Sequence, residues 1–120
     1  AFVDLTGRPG PSTRSGGSFP QGMANYPVTG VSWYEAAAYA DFAGRNLPTV
    51  YPWSRAAGLM NAAFLVPFSN FGGEGLTSVG EFPAVSPVGA YDMAGNAREW
   101  LVNAIGNQRY TGGGGWNDPP

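Results

Sequence analysis

The 120-residue chain contains no cysteine, no histidine and no lysine. Without cysteine there is no disulfide, no thiolate nucleophile and no cysteine-ligated zinc, and nothing marks a redox compartment. Without histidine the usual general base and the commonest transition-metal ligand are gone. Schiff-base chemistry needs a lysine and is excluded with it. Charge is scarce as well: charged residues make up 12% of the chain, about half the usual share of roughly 25%. A surface so poor in charge favours a partner or an oligomer. The formal net charge is −2 and there is no basic run, so nucleic-acid binding lacks its electrostatic footprint. No run of about 18 apolar residues occurs, so no helix is expected to span a membrane. What remains for chemistry is eight carboxylates, six arginines, hydroxyls and amides.

What is present suits one domain with a real core: 43% apolar residues, including four Trp, six Tyr and seven Phe. Nineteen Gly and eleven Pro make much of the backbone loop. The opening "AFVDLTGRPG" reads as a helix end stopped at Gly7 and followed by a turn, as in a fragment of a longer chain. Residues 8 to 27, rich in Gly, Pro and Ser, read as an irregular loop. In "VSWYEAAAYADFAGRNLPT" Ser32 and Glu35 have capping-box spacing, and Trp33, Ala36, Ala37, Tyr39, Ala40 and Ala43 form a helical apolar stripe. This predicts a helix over about 33–43, ended by Gly44, whose alanine-rich face admits close approach by another backbone. A second, shorter helix is predicted from Val50 or Pro52 to Ala57. "AAFLVPFSNF", interrupted by Pro67, reads as a buried segment entering a loop. "TSVGEFPAVSPVGAYDMAGNAREWLVN" reads as short extended pieces between turns, and "QRYTGGGGWNDPP" as a strand that its four glycines strip of side chains.

Three stretches, in order, carry a resemblance. "PVTGVSWYEAAAYADFAGRNLPT" is similar to a pattern of Pro-Val, a Val-Ser-Trp turn, an Ala-rich helix and Leu-Pro-Thr. "SPVGAYDMAGNAREW" is similar to a Tyr-Asp-Met-x-Gly-Asn-Val-x-Glu-Trp signature, and "GGGGW" stands where Arg-Gly-Gly-Ser-Trp is usual. Over about residues 2 to 117 the chain resembles the formylglycine-generating enzyme family, the sulfatase-modifying-factor domain. Its opening and "WND" look most like the variant appended to bacterial serine/threonine kinases. The resemblance implies an α+β, C-type-lectin-like fold: two short helices, a small irregular antiparallel sheet and high loop content, in a single domain over residues 1–120.

The resemblance also implies sites. A family calcium site maps onto the carbonyls of Ala94, Gly95 and Ala97 and the carboxylate of Glu99, oxygen donors of the kind calcium takes. Beside it stands a purely structural reading, in which Gly95 and Asn96 supply a turn with positive φ and Glu99 pairs with an arginine. A second calcium site would start at Asn70 and Phe71, with Glu74 the only acid in the loop that follows. Arg98, where many members have an aromatic, is a ligand-binding candidate for a carboxylate, or a partner for Glu99. Trp116, beside the glycines, is the tryptophan expected to be exposed and able to stack on a ligand, whereas Trp33, Trp53 and Trp100 suit a core. Pro52 stands where the family commonly has Glu or His. Glu74, Glu81 and Asp92 have no spacing that marks a glycosidase pair, and Gly112–Gly115 lack the ending of a phosphate loop.

Family oxidases use copper and two cysteines beyond the Gly-Gly-Ser-Trp stretch, and iron members rely on histidines. Neither residue occurs here, so copper and iron are not expected and no catalytic residue is assigned. Two expectations follow. One is a non-catalytic, lectin-like domain serving ligand binding or self-assembly, with calcium as its cofactor and a small molecule or glycan as ligand. The other is a piece of a family oxidoreductase whose reactive residues lie elsewhere. The family's terminal strands have no counterpart in this sequence, which predicts an unpaired sheet edge open to a protein partner or a second copy.

Overall fold

The computed structural model describes residues 10–14, 18–58, 60 and 62–120. The helix end expected near Gly7 lies outside them. Helix α1 spans Trp33–Phe42 and starts with the expected capping box: the Ser32 hydroxyl accepts from the Glu35 amide (3.3 Å), and Glu35 accepts from the Ser32 amide (2.6 Å). Gly44, at φ 66°, ends it. The Gly44 and Arg45 amides there donate to the Asp41 and Ala40 carbonyls, satisfying the orphan acceptors of the last turn.

The alanine stripe does not make α1 a core helix. None of its residues is fully buried, and Tyr39 is exposed. Alanines have little surface to remove from water, and the first residue of the helix is anchored by a polar bond: the Trp33 indole N–H donates to the Leu101 carbonyl (2.7 Å).

Helix α2, Val50–Ala57, lies within the predicted range and ends at Gly58, in the left-handed region at φ 67°. Its N-cap, Thr49, contributes no side-chain bond. Instead the Val50 amide is capped by the Asn103 side-chain oxygen (2.7 Å), far away in sequence. Trp53 and Ala57, one turn apart, pack with Leu101 and the partly buried Met93 as the apolar core.

"AAFLVPFSNF" departs from expectation. It forms a short helix α3, Ala62–Leu65, followed by a 3₁₀ turn at Val66–Phe68 whose first positions accept Pro67. Leu65 is buried, but Phe64 and Phe68 are exposed, and the polar Ser69 and Asn70 are buried beside it, Asn70 most of all. A run this short carries no periodicity from which its inward side can be read.

The sheet is a two-stranded antiparallel ribbon, β1 Glu99–Ile105 and β2 Gln108–Gly112. Glu99 pairs with Gly112 and Ile105 with Gln108, with an irregularity between Trp100 and Ala104. The predicted glycine strand therefore stops at Gly112, because Gly113 and Gly114 turn to φ 84° and 73°. Beside β1, the Val102 amide donates to the Pro48 carbonyl (2.9 Å), and the Trp100 indole donates to the Val31 carbonyl (3.0 Å). Among the described residues the fold is thus α+β with three helices, one more than expected, and no helix is long and apolar enough to cross a membrane.

Candidate functional site

Three segments meet beside the ribbon: Ser69–Thr77, the turn Ala94–Ala97, and Gly113–Asp118. Gly95 and Asn96 both have positive φ, 73° and 59°, which fits the turn expected from the Gly-Asn pair. Gly95 is required by space as well, because a Cβ there would overlap the Asn70 carbonyl. The Gly95 amide donates to the Gly113 carbonyl (2.7 Å) and the Asn96 amide to the Asn70 carbonyl (2.9 Å).

Asn96 is only 1% exposed, and its polar groups are fully engaged. Its Oδ1 accepts from the Thr77 amide (3.0 Å), its Nδ2 donates to the Thr77 carbonyl (3.2 Å), and its own carbonyl accepts from the Trp116 amide (2.9 Å). Asn70, 3% exposed, sends Nδ2 to the Gly75 carbonyl (2.9 Å) and more loosely to Thr77 Oγ1 and Asn96 Oδ1 (3.4 Å each). The two buried side-chain amides therefore tie two of the loops together, and backbone bonds from Trp116 and to Gly113 add the third, as buried polar groups must find partners. Residue spacing carries no signal for this joint, since the partners lie 19 to 26 positions apart.

The glycine run packs closely. A Cβ at Gly112 would strike the Trp53 indole, and one at Gly114 the Phe71 ring (2.8 Å). The Gly72 and Gly73 amides donate across to the Asp118 and Trp116 carbonyls (3.3 and 3.0 Å). Trp116 is partly buried, as Trp33 and Trp100 are, so it does not stand out as the exposed tryptophan.

The open choice at Glu99 is resolved against the arginine pairing. Arg98 turns away to Asp118, donating from Nε to Oδ2 (2.8 Å) and from Nη2 to Oδ1, a bidentate clamp. Arg98 lies just before β1, and its side chain packs over the Gly115 and Asp118 turn, whereas Glu99, the first residue of the strand, meets Trp53. Asp118 also accepts from the Gly115 amide (2.7 Å). Its carboxyl is held below its ordinary value by Arg98 first and by Gly115 second. The carboxylate that Arg98 was expected to reach on a ligand is thus supplied within the chain, by an acid 20 residues on.

Glu99 points inward and accepts a hydrogen bond from the Trp53 indole. Its pKa is raised, chiefly by burial and further by the charge of Asp92, while the Trp53 bond opposes the rise. The other acids serve turns. Glu81 accepts from the Ser78 amide (3.1 Å) and Asp92 from the Gly80 amide (2.7 Å), while Glu74 is exposed. Among the described residues no three Asp or Glu side chains gather as a metal cluster.

Comparison with known proteins places the chain in a family. The model of the sulfatase-modifying factor enzyme 1-like domain matches residues 2–120. The serine/threonine-protein kinase pkn1 of Chlamydia pneumoniae is 39% identical over 97 residues, covering 74% of this chain and 16% of the kinase. The formylglycine-generating enzyme of Thermomonospora curvata is 34% identical over 102 residues, 66% of this chain and 34% of that enzyme. The inactive C-alpha-formylglycine-generating enzyme 2 of Mus musculus is 32% identical over 119 residues, 77% of this chain and 38% of that protein. The chain thus spans a sixth to about two fifths of the length of these relatives. With a family model matching nearly its whole length, the chain belongs to the sulfatase-modifying factor enzyme 1-like domain family.

Proposed function

We propose that these residues form a non-catalytic, C-type-lectin-like member of the family that serves ligand binding or self-assembly. The observation that carries this reading is how the polar groups of the loop junction are used. Asn70, Asn96, Arg98 and Asp118 bond to one another or to backbone. They hold loops together and do not face a reacting group. The 120 residues also contain no Cys, His or Lys with which to run copper, iron or imine chemistry. The mouse relative named as an inactive formylglycine-generating enzyme is compatible with a member that lacks the activity.

Self-assembly is supported by the ribbon. Among the described residues it has two strands, and Val102, Ile105 and Tyr110 on it are exposed. A strand added beside β2 would satisfy backbone groups and cover apolar surface at once. Calcium at Glu99 belongs to the same proposal: a cation there would relieve the burial and the Asp92 repulsion that raise its pKa. Ala94, Gly95 and Ala97 would supply carbonyls, with Asn70 and Phe71 as the second, weaker site.

Metal analysis of the purified chain by mass spectrometry, together with light scattering, tests this reading. Calcium at one or two equivalents and a mass above that of a monomer are expected. Stoichiometric copper or iron would overturn the non-catalytic reading. That result would favour the second reading, a piece of a family oxidoreductase, for which the similarity to the Thermomonospora enzyme speaks.

A further inference from the structure

We propose that Arg109, stacked on Trp33, is the anchor of a carboxylate-binding site where α1 meets the ribbon. This does not depend on the ribbon's edge being an assembly surface. The Arg109 guanidinium lies 4.4 Å from the centre of the Trp33 ring, a cation–π contact that holds the side chain in one pose. Trp33 is itself fixed by its bond to Leu101, and Tyr34 meets its ring edge-on at 5.3 Å while being 69% exposed.

Among the described residues no acceptor meets the guanidinium so held. Its Nε is buried without a hydrogen-bond partner, the one such side-chain atom among the described residues. Arg109 makes no ion pair there either, in contrast to Arg98. The two Nη nitrogens are not sealed in this way. A cation with a fixed plane, one sealed donor and two open ones recognises a planar anion end-on, through both Nη nitrogens. That fits a carboxylate. A phosphate dianion is poorly matched, because it calls for more positive charge and the chain has no lysine. The exposed Tyr34 ring offers apolar surface for the body of the ligand. The ligand class is therefore a carboxylate joined to an apolar or aromatic group, either free or as an acidic side chain of a peptide.

The test is a titration of the isotope-labelled 120-residue chain, followed at the Trp33 indole N–H signal. The probes are benzoate, a short peptide with one glutamate beside a phenylalanine, and inorganic phosphate, at matched ionic strength. Saturable shifts with benzoate or the peptide, and none with phosphate, are expected. Tighter binding of benzoate identifies a small-molecule site, and tighter binding of the peptide a protein partner. Arg109→Gln should weaken binding at least about tenfold. Arg109→Lys keeps the charge but loses the fork and should weaken it about threefold, while Arg55→Gln, at an exposed arginine on α2, should have no effect. The proposal fails if the shifts do not saturate, if phosphate matches the carboxylates, or if folded Arg109→Lys binds as well as the parent. A change in light-scattering mass does not bear on it, which separates its failure from that of self-assembly.

Discussion

The side-chain amide of Asn96 pairs with both backbone groups of Thr77, donating from Nδ2 to the carbonyl (3.2 Å) and accepting at Oδ1 from the amide (3.0 Å). It does for one residue what a neighbouring strand does in a ladder, at a point where no strand runs. Asn96→Ala would leave both Thr77 groups unpaired in the interior and should cost about 3 kcal/mol in urea unfolding. Asn96→Asp should be worse at neutral pH and recover partly in acid, where the protonated carboxyl again donates to the carbonyl.

Two glycines with the same backbone conformation should respond very differently to alanine. Gly106, at φ 57°, has open space where a Cβ would go, so Gly106→Ala should cost only about 1 kcal/mol of conformational strain. A Cβ at Gly95 would meet the Asn70 backbone, with the carbonyl carbon 2.8 Å away. Gly95→Ala should cost about 3 kcal/mol or more, measured side by side as denaturation midpoints.

The clamp between Arg98 and Asp118 should show in hydrogen exchange more than in global stability, because Arg98 is largely exposed. Asp118→Asn should speed exchange at the Gly115 amide and at the Gly72 and Gly73 amides, which bond to the same segment. The pH sense follows from the depressed pKa of Asp118: the contribution is present above its ordinary value of 3.8 and is lost as pH falls through the lowered value. Equal exchange in parent and variant at neutral pH would contradict this.

Glu99 has the opposite sign. Its pKa in the folded chain is raised from 4.5, so its favourable contribution is complete below that value and fades as pH rises through the folded value. Glu99→Gln should therefore flatten the pH dependence of stability on the neutral side and raise stability there in calcium-free buffer. Thermal unfolding with and without calcium separates the two roles proposed for this residue. The parent should gain stability on adding calcium and Glu99→Gln should not.

The readable parts of the fold were those whose causes lie within one helical turn. Ser32 and Glu35 are three residues apart and Gly44 and Gly58 adjoin the helices they end, so α1 and α2 could be placed from spacing. The Gly95–Asn96 turn was visible for the same reason. The partners of these residues were not. Arg98 finds Asp118 across 20 residues, and Asn103 caps a helix 53 positions earlier. Trp53 bonding to Glu99 replaced an arginine that sat next to Glu99 in sequence. Such pairings follow from how strands and loops are stacked, which local spacing does not carry. The glycine run was the reverse case: the absence of side chains was plain, but the rings of Trp53 and Phe71 that occupy the vacated space were not.

The layer formed by Gly113–Asp118 also sets an order of events. It accepts the amides of Gly72, Gly73 and Gly95 and donates to Asn96, yet it is made after all of them. On the ribosome, the amides of Gly72, Gly73 and Gly95 must stay hydrated until residues 113–118 have left the exit tunnel. A nascent chain stalled before Gly113 should accordingly lack protection at these three glycines, whereas the Asn96 amide, bonded to the Asn70 carbonyl, and helices α1 and α2 need not wait.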